Sequence, residues 1–129
     1  MQITDRCPVE ATLELIGGKY KALILWHLSE GTLRFSELNK RISGATAKML
    51  TQQLRELEGH QLIHREVFPV IPPKVEYSLT ARGNSLIPVL MAMRDWGVGY
   101  LKSQDLQSTC FMLNKASSQS IRNSKGELL

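Results

Sequence analysis

The hydrophobic period of this sequence changes twice, and those changes restrict the fold more than any other feature. Between Phe35 and Leu57 the apolar residues recur at helical spacing: Phe35, Leu38 and Ile42, then Leu50, Leu54 and Leu57. Past Gly59 the period falls to two. "IHREVFPV" and "KVEYSL" alternate, with Val75, Tyr77 and Leu79 on one face and Lys74, Glu76 and Ser78 on the other. After Thr80 the helical spacing returns. Two alternating segments enclosed by helices read as one hairpin attached to a helical body. Its tip is "PVIPP", whose prolines fix φ and hold their neighbours extended. The hairpin therefore has a long, stiff connection rather than a two-residue turn.

The remaining segments complete a mainly α chain with a small antiparallel β element. "CPVEATLELIGG" starts a helix at Pro8, where the missing N–H is harmless, carries a Val9, Leu13, Ile16 stripe and stops at Gly17-Gly18. "KYKALILWHLSEG" is apolar on nearly every side and belongs in the middle of a core. "TLRF" suits a short strand, "FSELNKRI" a brief helix, "SGA" a break, and Thr46 a cap for the next helix. Thr80 caps a long helix through "ARGNSLIPVLMAMRDWGVGYL", which Pro88 should kink or loosen by one turn. Residues 1–102 read as one domain, and 103–129, rich in Ser, Asn and Gln, as a weakly structured polar tail with "LQSTCFML" as one more helical turn or two.

Composition narrows the partners. The chain has 129 residues, enough to bury a core, with 16 Lys+Arg against 12 Asp+Glu, a net +4 that permits a polyanionic partner without demanding one. The distribution is more informative, since Arg34, Lys40, Arg41, Lys48 and Arg55 lie in a stretch whose single acid is Glu37. Cys7 and Cys110 sit at opposite ends and make no disulfide framework, which fits a reducing cytoplasm. The N-terminus has no apolar signal region, and "ALILW" is far too short to span a bilayer.

The order helix, helix, short strand, helix, turn, helix, hairpin, long helix is that of a winged helix-turn-helix, in which the second helix of the turn enters the major groove and the wing follows the backbone. The 46–57 helix supports that role. Opposite its leucines lie Lys48, Thr51, Gln52 and Arg55 with no carboxylate among them. A solvated helix face usually mixes signs through i, i+4 pairs. Lys48 and Arg55 suit phosphates or guanine edges, and Thr51 and Gln52 suit base edges. Arg34, Lys40 and Arg41 would lie against the backbone, with Arg65 and Lys74 flanking the wing. Taken alone, such a face is more often merely wet; the Gly turn before it and the alternating hairpin after it favour DNA.

Three stretches, "CPVEATLELIGGKYKALILWHLSEGTLRFSELNKRISG", "KMLTQQLRELE" and "PPKVEYSLTARGNSLIPVLMAMRDWG", closely resemble the HxlR-type winged-helix transcriptional regulators, a branch near the MarR-type regulators. The resemblance spans residue 7 to about residue 101. It implies a homodimer, paired through its N-terminal and long C-terminal helices, that binds an inverted-repeat operator near a promoter. Two departures stand out: Tyr20 where members usually carry Trp, and "GATAKML" in place of the usual small-polar Ser-Gln start.

A dimer also has physical support, because the 86–101 segment is more apolar than one small chain readily hides. Met93, Trp96 and Tyr100, with Leu90 and with Val9 and Leu13 of the first helix, are the candidate interface. The alternative is that they close the chain's own core. Cys7 precedes Pro8 at a helix N-terminus beside Arg6, and helix ends and cations favour thiolates. The resemblance implies that some members sense oxidants or electrophiles through a cysteine at the matching place; the bland reading is a capping residue. His60 and His64 straddle a helix-to-strand junction, so no metal or other cofactor is expected. No catalytic cluster points to an enzyme. The competing class is a winged-helix protein-interaction module that reads no DNA.

Overall fold

Leu50, Leu54 and Leu57 have essentially no exposed surface, and the first part of the molecule is organised around them. The computed structural model describes residues 5–104, so the expectations for the tail and Cys110 lie outside the described residues. The elements run α1 (Pro8–Ile16), α2 (Lys21–Leu28), β1 (Leu33–Arg34), α3 (Phe35–Arg41), α4 (Ala47–Gly59), β2 (Ile63–Phe68), β3 (Lys74–Leu79), α5 (Ala81–Ser85) and α6 (Ile87–Ser103). This is the winged helix-turn-helix order. The chain divides into two compact units, one ending at Ser85 and the other beginning at Leu86.

In the first unit α2 is the central helix, packed against α1, α3, α4 and β3. Ile24 and Leu25 are wholly buried, with Trp26, Leu28 and Tyr20 nearly so, while Leu23 stands exposed and limits the expectation of an all-round apolar core helix. The sheet has three strands rather than the hairpin's two. β3 lies in the centre, antiparallel to both neighbours, in the order β1-β3-β2. Leu33 and Arg65 both face Tyr77, which is buried, so this row anchors the sheet to the core. From His64 to Val67 β2 is exposed, which makes the outer hairpin a projecting wing.

Local capping fixes the helix starts. Thr46 Oγ1 accepts the Met49 N–H at 3.1 Å, and Glu37 Oε1 accepts the Arg34 N–H at 2.9 Å. The turn between α3 and α4 holds Gly44 at φ +89°, and the buried Tyr20 hydroxyl donates to the Gly44 carbonyl at 3.0 Å. The phenol that replaces the expected indole thus ties α2's N-terminus to the helix-turn-helix bend. A second tie holds the wing root. The Thr80 hydroxyl donates to Gln61 O at 2.6 Å and accepts the Gly83 N–H at 3.0 Å, while Arg82 Nη1 donates to His60 O at 3.2 Å. A Cβ on Gly83 would lie 2.1 Å from Leu62 O, so only glycine permits this approach.

The long final helix expected from sequence is two helices. Pro88 cannot donate to the preceding turn, and its ring crowds the carbonyl four residues back; the helical run stops at Ser85 and restarts with Pro88 in the first turn of α6. Within this second unit, Trp96 and Tyr100 stack at 5.7 Å between ring centroids, and Arg94 pairs with Asp95 at 2.6 Å. Leu90 is buried, whereas Val89, Met91, Met93, Trp96 and Tyr100 are exposed, Trp96 by 74%. Among the described residues no helix is long and apolar enough to cross a membrane.

Candidate nucleic-acid interface

α4 is two-faced in the way its spacing requires. The leucine side is buried, and Lys48, Gln52 and Arg55 are exposed with Thr51 half-buried between them. These four residues line one shallow depression of about 510 Å³ along the outer surface of the helix. The Thr51 hydroxyl donates to the Ala47 carbonyl at 2.7 Å. Its proton is therefore taken, and what it offers outward is an acceptor lone pair and a methyl group.

Two acids adjoin this face, which the spacing of residues 48–55 does not reveal by itself. Glu56 borders the same depression, and Glu58 lines the neighbouring one. Glu56 is already engaged. Its carboxylate lies 2.7 Å from Nζ of Lys21, a lysine only 8% exposed at the start of α2. The hydrogen bond from Lys21, with that ammonium's charge, holds Glu56 below the ordinary carboxylate range. The i, i+4 spacing to Gln52 is a sequence signal for Glu56, but Lys21 is 35 positions away and only the fold brings it there.

Between α4 and the sheet a second hollow of about 280 Å³ is lined by Thr51, Leu54, Arg55, Glu58, Arg65 and Tyr77. It brings Arg55 of the helix and Arg65 of the wing root to one place. Among the described residues neither guanidinium sits in an ion pair, so both charges face outward. Lys48 and Lys40 are exposed as well.

The other basic residues are placed differently. Lys74 lies 3.3 Å from Glu76 and 4.6 Å from the Phe68 ring centroid, and is half-buried. Arg34 and Lys74 share a hollow of about 590 Å³ with the exposed wing tip, Val70 to Pro73. Arg41 lies 3.9 Å from Glu30. Cys7 is exposed at the N-cap of α1, and the neighbouring Arg6 pairs with Glu14 across the first two turns. Val9 and Leu13 on α1 are 65% and 58% exposed, while the third member of their stripe, Ile16, is buried.

Comparison with known proteins agrees with this geometry. The chain is 55% identical over 96 residues to the HTH-type transcriptional regulator YdeP of Bacillus subtilis, covering 74% of this chain and 75% of that protein. An HTH-type transcriptional regulator of Methanothermobacter thermautotrophicus is 52% identical over 99 residues, covering 77% and 76%. Among solved structures, the redox regulator HypR matches in its reduced form with a TM-score of 0.73 at 44% identity, over 77% of this chain and 98% of that one. Its oxidised form matches with 0.69 at 48% identity, over 72% and 96%. The HxlR-like helix-turn-helix model matches residues 15–105. With that match, and with relatives this similar, the chain belongs to the HxlR-like helix-turn-helix family of transcriptional regulators.

Proposed function

We propose that the protein regulates transcription by binding an inverted-repeat operator as a homodimer, with α4 in the major groove and the β2–β3 wing along the backbone. The observation that carries this reading is the outer face of α4, where Lys48, Gln52 and Arg55 stand exposed opposite three buried leucines and Arg55 meets Arg65 of the wing root. Duplex DNA needs cations that are not already paired and side chains long enough to reach base edges. Lys40 and Arg34 supply further backbone contacts, as do Arg41 and Lys74 after releasing Glu30 and Glu76. Two recognition helices related by a twofold axis would lie about 34 Å apart, one DNA turn, which sets the half-site spacing. In the first unit the exposed α1 residues Val9 and Leu13, and in the second the exposed α6 residues Met93, Trp96 and Tyr100, each offer apolar surface for pairing, while Leu90 is buried.

Selection of bound sites from a random duplex pool is the test. The expected outcome is an inverted repeat with centres one turn apart, and an affinity that falls about a thousandfold between 50 and 200 mM salt. A protein that ignores duplex DNA even in dilute buffer would instead be an interaction module.

Regulation through Cys7 is part of the same reading. The thiol is exposed at a helix N-terminus, and a relative of this likeness is a redox regulator solved in both oxidation states. Diamide or a quinone should change the operator affinity of the native protein and leave Cys7→Ser unmoved. Equal responses from the two would remove Cys7 from the mechanism.

A further inference from the structure

Among the described residues the wing tip carries the most exposed large apolar side chain. Ile71 is 100% exposed and its neighbour Val70 52%. The tip is also stiff. Three of the chain's five prolines, Pro69, Pro72 and Pro73, lie in it, each with φ fixed by its ring. Between them the Val70 N–H donates to Phe68 O at 2.8 Å.

Few hydrogen-bond donors remain there. The prolines have no N–H, that of Val70 is spent, and no side chain from Pro69 to Pro73 carries a polar atom. The Ile71 N–H is all that this stretch can offer. Phosphates accept hydrogen bonds, and so do the adenine N3 and thymine O2 edges in the minor groove. A tip so poor in donors grips neither. What it brings is shape and apolar surface.

Its place in the fold says where that surface goes. Arg65, near the start of β2, shares a hollow with Thr51 and Arg55 of α4, so the wing begins beside that helix. β2 has six residues, a reach of about 20 Å at ~3.3 Å per residue. Half a turn of B-DNA, from a major groove to the adjoining minor groove, is about 17 Å. The charge agrees with such a course. Arg34 and Lys74 line the same hollow as the tip, and the stretch from Phe68 to Val75 contains no acid. Among the described residues no ion pair holds Arg34.

We propose that the wing tip is an apolar wedge: Ile71, braced by Val70 and Pro72, enters the minor groove about half a turn from each half-site centre and bends the operator. Isoleucine and proline are among the side chains that push between base pairs from that groove. They partly unstack one step and kink the duplex by about 20–90° toward its major groove. Pyrimidine–purine steps give way most readily. The prolines keep the wedge from folding back as it displaces stacked bases, while Arg34 and Lys74 hold the flanking phosphates. The inference rests on the reading of α4 as the major-groove helix with the wing on DNA. It gives that wing a task beyond backbone contact.

The experiment measures the bend of the selected operator, by energy transfer between dyes at the two duplex ends. A second probe, 2-aminopurine, is stepped along the minor groove that the wing would reach. The native protein should bend the duplex by about 20° or more and brighten the probe about five base pairs from each half-site centre. Ile71→Ser should bind with the duplex nearly straight and the probe dark, and Ile71→Met should restore both signals. Placing a stiff A-tract where a pyrimidine–purine step stood should weaken native binding about fivefold or more and leave Ile71→Ser unmoved. Because Ile71 is fully exposed, the serine variant should melt with the native protein.

An Ile71→Ser protein that bends and brightens the operator as the native one does overturns the wedge and leaves DNA reading by α4 intact. So does a native protein that selects an operator and leaves it straight. If Ile71→Ser bends normally yet no longer regulates a purified polymerase, the tip belongs to a protein partner and the wedge is likewise overturned. A native protein that binds no duplex overturns the inference together with the reading beneath it.

Discussion

Two helices of this chain carry heavy apolar loads and come to opposite ends. α2 is eight residues long and buries five of them, Lys21, Ile24, Leu25, Trp26 and Leu28. α6 is seventeen residues long and buries one, Leu90. Both sequences are apolar on several sides, so hydrophobicity alone does not say which will be covered. The difference lies in what surrounds them. α2 has α1, α3, α4 and β3 as neighbours, whereas α6 leaves Val89, Met91, Met93, Trp96 and Tyr100 in solvent. Exposed apolar surface on this scale is the kind that the proposed pairing would bury. The first helix satisfies its load within one chain; the second leaves its load in solvent, where the proposed pairing would cover it.

The largest effect that separates the two should come from α2. Leu25→Ala removes a wholly buried side chain and leaves a cavity, so unfolding stability should drop by about 2–5 kcal/mol. Denaturant melts should show that loss at every protein concentration. Trp96→Glu should behave otherwise. Under the proposed pairing it places a charge where two copies meet and costs the dimer on the order of 2 kcal/mol or more. Sedimentation should show monomers at concentrations where the native protein is dimeric, and the loss of stability should shrink on dilution as the native dimer itself dissociates. A Trp96→Glu protein that sediments like the native one would place α6's exposed face outside any self-association.

Much of this contrast is legible in the amino-acid sequence. The leucine spacing of α4 and the change to period two after Gly59 locate α4, β2 and β3 to within a few residues, because those signals are local and each element obeys one rule. Thr46 is identifiable as a cap for the same reason. What the sequence hides is non-local. β1 completes the sheet by pairing with β3 more than forty positions away, and a two-residue strand has too few residues to announce its partner. Pro88 is conspicuous, but whether it bends a helix or ends it depends on whether neighbours rescue the freed carbonyls, and here the helix ends. At the site, helical spacing suffices to group the quartet on α4. The Lys21–Glu56 anchor does not emerge that way, since a buried lysine is rare and its partner lies in another element.

That anchor gives the third test, because Lys21 is the one charged residue in the buried set of α2. Glu56 is held below its ordinary range in the folded chain by Lys21. A depressed carboxylate contributes stability that is present above its ordinary value of 4.5 and is lost as pH falls through the lower folded value. The acid limb of the stability profile should therefore be steeper in the native protein than in Lys21→Met/Glu56→Gln, with the two curves converging as Glu56 takes up its proton. Parallel curves from about pH 7 down through the carboxylate range would mean that the pair adds nothing to folding.

The smallest effect sharpens the same comparison from the wing root. Gln61 adopts φ +61°, the left-handed conformation that closes α4, while the Leu62 N–H reaches back to Leu57 O at 3.0 Å. Glycine takes that conformation without a Cβ penalty and is the usual residue there. Against this, glycine loses more freedom on folding, so the net gain is small. Gln61→Gly should raise stability by about 0.5–1 kcal/mol. Because the strain is confined to one chain, the gain should not vary with protein concentration, unlike the loss from Trp96→Glu. A Gln61→Gly protein less stable than the native one would show that the Gln61 side chain, not only its carbonyl held by Thr80, contributes to the joint between α4 and the wing.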